Sequence, residues 1–124
     1  RRDIDPIEMR QWLGNLMLIE FPADPMQYRV RLDGVNLQQF YGNSREGKGV
    51  EAMSSEKERR IVLPQYILVL EQKLPAYYET QFVTSEGVPT AQRKLLLPLS
   101  DDGERVNIIL AGIYFDRISD QRRR

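Results

Sequence analysis

Carboxylates crowd together twice in this chain, at Asp3 and Asp5 and again at Asp101-Asp102. Paired acids can share a proton or hold a divalent cation, so both places raise acid–base or metal chemistry. Neither keeps that reading. Asp101-Asp102-Gly103 has the composition of a turn, where Asp side chains bond nearby backbone N–H groups. Asp5 stands before Pro6 and three residues before Glu8, which is how a helix begins. Arg31 and Arg93 lie in strand-like runs and could each pair with the carboxylate of a ligand. Strand arginines more often end in solvated or surface ion pairs. The chain has no Cys and no His. That excludes disulfides, thiolate chemistry, Cys/His zinc sites, and Ser-His-Asp or Cys-His arrangements. No catalytic residue and no metal ligand can be named.

The elements that must position any site are readable in order. Asp5 to Leu13 reads as a short capped helix stopped by Gly14, with Met9, Trp12 and Leu13 on one face. Asn15–Phe21 is a near-continuous apolar run, the pattern of an interior strand. Gln27–Gly34 alternates, with Tyr28, Val30 and Leu32 on a dry face and Gln27, Arg29, Arg31 and Asp33 on a wet one, as at a sheet edge. Val35–Tyr41 makes a helical turn or two before Gly42. The polar stretch from Asn43 to Gly49 is read as a mobile surface loop, and it lacks the phosphate-loop pattern. A long helix opens at Ser54-Ser55-Glu56 and carries Leu63, Tyr66, Ile67, Leu70 and Leu74 as its stripe. Pro64 is expected to kink it or split it near Leu63. Tyr77–Thr84 is a strand, and Leu95–Leu99 and Val106–Phe115 flank an Asp/Gly-rich connector as a hairpin. Both faces of Val106–Phe115 are apolar, which places it mid-sheet. Pro98 should loosen the pairing or force a bulge. Five strands with helices inserted after the second make an α+β domain, a single one over 1–124.

Composition removes several partners. Lys+Arg is 18 and Asp+Glu is 18, a formal charge of zero. A general nucleic-acid binder needs excess positive charge, so none is expected. No apolar run approaches the ~20 residues of a membrane span, and the expected location is cytoplasmic. A chain opening on Arg1 reads as trimmed or as a fragment. Arg122-Arg123-Arg124 reads as a solvated basic tail over 118–124.

Several motifs, taken in order, resemble a bacterial PAS-like family common in alphaproteobacteria, as a stand-alone PAS domain. They are Asp5-Pro6 with Trp12-Leu13-Gly14-Asn15-Leu16, Tyr28 to Gly34, Leu37 with Phe40-Tyr41-Gly42, Gln65-Tyr66, and Leu95 to Gly103. The resemblance implies a five-stranded antiparallel sheet of order 2-1-5-4-3, helices on one face, and a pocket between them. The N-terminal helix over 1–14 would flank the sheet. The light-sensing and haem-binding branches of that family carry a Cys or His anchor that this chain lacks, so no cofactor is expected: neither a flavin–cysteinyl adduct nor a ligated haem.

The pocket wall should come from Tyr28, Val30, Phe40, Tyr66, Tyr78, Phe82, Leu95 and Leu97, with Arg93 as a polar handle and the Tyr hydroxyls as others. Each of these residues also serves as ordinary core packing. The inward positions read as nearly free of acids. Three functions follow. The first is a sensory module binding a small ligand non-covalently. The second is a ligand-free interaction module, a homodimer through the N-terminal helix and outer sheet face. The third is a small cone-shaped enzyme with a carboxylate base, which a buried Asp or Glu in the pocket would favour.

Overall fold

The computed structural model describes residues 13–53 and 55–118. The expected N-terminal helix and basic tail lie outside the described residues apart from their inner ends. Five strands form one antiparallel sheet: β1 (Leu16–Glu20), β2 (Arg29–Asp33), β3 (Ala76–Val83), β4 (Pro89–Leu99) and β5 (Ile108–Arg117). Their order is β2-β1-β5-β4-β3. Two helices lie between β2 and β3 in the chain, α1 (Val35–Tyr41) and α2 (Glu56–Gln72). None of the described helices is long and apolar enough to cross a membrane.

Period-two alternation decides the two faces of the sheet. Met17, Ile19, Leu96, Ile109, Ala111 and Ile113 face the helices and join Leu37, Tyr66 and Val69 in the core. Ile19, Leu96 and Ile109 are fully buried. Burying such a side chain contributes about 2 kcal/mol over leaving it exposed. Three rings lock the far end of this core: Phe21, Tyr28 and Tyr66 stand with centroids 5.6, 5.6 and 5.8 Å apart, tilted or edge to face. Such ring contacts add to burial alone.

The edge strand departs from simple alternation. Ile19 pairs with Val30, but the preceding Leu18 pairs with Leu32, so Arg31 is an extra residue. This bulge turns the strand over. Upstream of it Tyr28 and Val30 are buried as expected; downstream Leu32 is 56% exposed and Asp33 is buried instead. The dry face read from the sequence is therefore corrected at Leu32.

Helix α2 starts on Ser55, whose Oγ accepts the Glu58 N–H at 3.1 Å, and Glu56 and Glu58 complement the positive helix end. It runs unbroken for 17 residues through Pro64. The expected split does not occur. Pro64 is exposed, and so is Arg60, the residue whose carbonyl its missing N–H would have bonded. Lys73 closes the helix at φ 58°, left-handed backbone without glycine. Pro98 brings no bulge either. β3 ends at Ala76 opposite Leu96, so Pro98 sits on an overhang of β4 that pairs only with β5.

Gly34 joins β2 to α1 where the chain passes against the turn Leu13–Asn15. A Cβ there would overlap the Gly14 carbonyl. Its N–H donates to the Leu16 carbonyl at 2.9 Å.

Candidate ligand-binding site

A cavity of about 470 Å³ lies between the inner sheet face and the helices. Its roof comes from α2, which turns Glu58, Ile61, Val62 and Tyr66 toward it at helical spacing. Phe40 and Tyr41 of α1 and the segment Ala52-Met53 close the side. The floor is Met17, Val30, Ile113 and Phe115, with three polar residues among them: Thr80, Gln92 and Lys94. At the mouth Phe40 stacks on Phe115 at 3.7 Å between centroids, and Phe82 meets both edge on. An open groove shares these three rings and continues past Asn43, Lys48, Glu86 and Arg117.

Charge is concentrated at this site. Arg45 lies over the Tyr41 ring at 4.0 Å. Its Nη2 donates to Glu58 Oε1 at 3.1 Å, and its backbone N–H donates to Asp33 Oδ2 at 2.8 Å. The bulge in β2 is what turns Asp33 inward to receive it. Arg45 Nε and Asp33 Oδ1 are buried without a hydrogen-bond partner among the described residues.

Lys94 is only 4% exposed and points into the cavity from β4. Its Nζ stands 5.9 Å from the Tyr78 ring centroid and makes no hydrogen bond or ion pair among the described residues. Burial pushes its ammonium down to about 8, with Glu58 working against that shift. Burial pushes Tyr28 up to about 12 and also raises Tyr41 and Tyr66. These phenols stay protonated near neutral pH and can donate.

Five of the expected wall residues line the cavity: Tyr28, Val30, Phe40, Tyr66 and Phe82. Tyr78 is on the inner face, across from Lys94, but is not part of the lining. Arg93, Leu95 and Leu97 belong to the opposite face and are corrections. Register pairs Leu95 with Tyr77 and Leu97 with Leu110, both outward, while Leu96 between them is fully buried. In a run of consecutive leucines nothing marks the phase, and a slip of one residue exchanges the faces. Arg93 bonds Asp116 at 2.7 Å and Arg31 bonds Glu20 at 2.8 Å, both at the surface. The expectation of a nearly acid-free interior is also corrected, by Asp33 and Glu58. Lys94, Gln92, Arg45 and Glu58 escaped the sequence reading. Stepping by two from Leu96 would have found the first two; Arg45 stood in a stretch that read as a surface loop.

The family model described as a PAS domain matches residues 1–114. No curated protein matches this chain. Among solved structures, a light-oxygen-voltage domain studied with a flavin analogue is 11% identical, with a TM-score of 0.65 over 94% of this chain and 87% of that one. The PAS domain of a Colwellia psychrerythraea protein is 12% identical, TM-score 0.62, covering 92% of this chain and 99% of that one. The PAS domain of the fruit-fly ELK potassium channel is 17% identical, TM-score 0.57, covering 87% and 90%. At these identities the likeness is one of fold.

Proposed function

Because the chain belongs to the PAS domain family, we propose that it is a sensory or regulatory module that binds a small molecule non-covalently in the cavity between sheet and helices. Family and fold do not choose between sensing and scaffolding. The observation that carries the choice is the cavity itself: an aromatic and aliphatic enclosure with buried polar groups turned into it. A domain that only scaffolds gains stability by filling such a space with hydrocarbon. Without Cys or His, the ligand is held by packing and hydrogen bonds, with no thiol adduct or imidazole-ligated haem.

The acids at the cavity do not make it an active site in this reading. Glu58 pairs with Arg45, and Asp33 is not among the residues that line the cavity. Native mass spectrometry of the gently purified protein tests the proposal. A bound small molecule, released on denaturation, is the expected result. An empty protein with no thermal shift across a metabolite library overturns it.

A second reading, an interaction module acting by self-association, draws on the outer sheet face. Tyr77 is 56% and Leu95 41% exposed there. A stable dimer that is lost on Leu95→Glu, with no ligand detected, would favour it.

A further inference from the structure

The polar floor of the cavity selects a class of ligand, if the cavity is the binding site proposed above. Lys94, Gln92 and Thr80 are neighbours on the inner sheet face. Gln92 pairs across the strands with Thr80, and Lys94 is the next inward residue along β4. The Thr80 hydroxyl donates to Gln92 Oε1 at 3.3 Å, which leaves the Gln92 Nε2 amide as a donor with no partner among the described residues. Lys94 Nζ beside it is likewise unpartnered. Two donors, one of them cationic, thus lie side by side on the floor of a cavity whose other walls mix hydrocarbon with the Arg45–Glu58 pair, Ser55 and Lys57.

Burying an ammonium without a counter-ion lowers stability, and replacing it with a packed apolar side chain usually restores it. Glu58 acts on the Lys94 ammonium and offsets only part of that cost. Arg45 and Glu58 satisfy each other at 3.1 Å, and Asp33 is turned to the Arg45 backbone. Of these four groups only Lys94 has no hydrogen bond or ion pair among the described residues, so its complement is a single negative charge. A carboxylate matches one ammonium and one amide N–H.

We infer that the cavity takes an aryl or alkyl monocarboxylate, its head group received by Lys94 Nζ and Gln92 Nε2 and its hydrocarbon body by Met53, Val62, Ile113 and Phe115. The rings at the mouth, Phe40 and Phe82, border its entry path.

Isothermal titration of the full chain with 4-phenylbutyrate and octanoate, each beside its primary amide, tests this. The wild type is expected to bind an acid about tenfold more tightly than its amide, the scale of one charge-assisted contact. Lys94→Met should abolish that preference, the acid losing about tenfold more affinity than the amide. Should that variant not fold, Lys94→Gln carries the same comparison. Equal binding of acid and amide by the wild type overturns the inference and leaves the ligand-binding reading intact. An acid preference that survives at Lys94→Met overturns the role of Lys94. If neither probe binds but native mass spectrometry shows another occupant, this inference fails alone. If neither binds and the protein is empty, both fail.

Discussion

Arg45 Nη2 lies 3.1 Å from Glu58 Oε1, with the two side chains only 14% and 19% exposed. This pair ties the segment after α1 to the first turn of α2. Removing one member strands the other in a poorly solvated place. Arg45→Met is expected to cost about 3 kcal/mol in chemical denaturation. The double variant Arg45→Met/Glu58→Met should lose clearly less than the sum of the two single changes. Additive losses would show that the pair is not coupled.

Lys94 should work against stability. Its ammonium titrates at about 8 in the folded protein against 10.5 ordinarily, because burial disfavours the charge. Between those values the unfolded chain holds more protons than the folded one, so stability rises with pH across that window. Below about pH 8 the full penalty is present, on the order of 3 kcal/mol. Lys94→Met should therefore be more stable than the wild type at pH 7, by about 2 kcal/mol after relaxation. Its advantage should shrink as the pH rises from 8 toward 10. Comparing the two proteins cancels the buried tyrosines, which pull the other way above pH 10. A wild type as stable as the variant at pH 7 would contradict the burial of this charge.

Adjacent leucines on β4 should behave as opposites. Leu96 is fully buried, and Leu96→Ala should cost 2 kcal/mol or more, roughly the range for core leucines. Leu95 is 41% exposed, and Leu95→Ala should cost less than about 1 kcal/mol. The reverse order would mean that β4 is out of phase with the pairing of Leu96 to Ala111 and Leu95 to Gly112.

Lys73 caps α2 with left-handed backbone at φ 58° while its N–H bonds the Val69 carbonyl at 2.9 Å. A side chain there costs about 1 kcal/mol that glycine avoids. Lys73→Gly should raise the melting temperature by a few degrees. A lower melting temperature would place the cap elsewhere.

The architecture was legible in the sequence because its strongest patterns are long. Val106–Phe115 is apolar on both sides and does run down the middle of the sheet, between β1 and β4. The charged alternation of Arg29–Asp33 does mark an edge. The site was legible where a strand carries alternating chemistry, as at Tyr28 and Val30, and where helical spacing marks a face, as at Phe40 and Tyr66. It was lost at Leu95–Leu99, where apolar residues in succession erase the phase, and at Lys94, a charge that composition assigns to the surface. It was lost again at Arg31, because an inserted residue in a strand has no signature of its own.

That inserted residue governs more than its own position. Upstream of it the border strand delivers hydrocarbon to the interior; downstream it delivers a carboxylate. Straightening the strand with Arg31 retained would thus be felt as an inversion: leucine driven inward, aspartate expelled into water, and the guanidinium segment that leans on it left without an anchor.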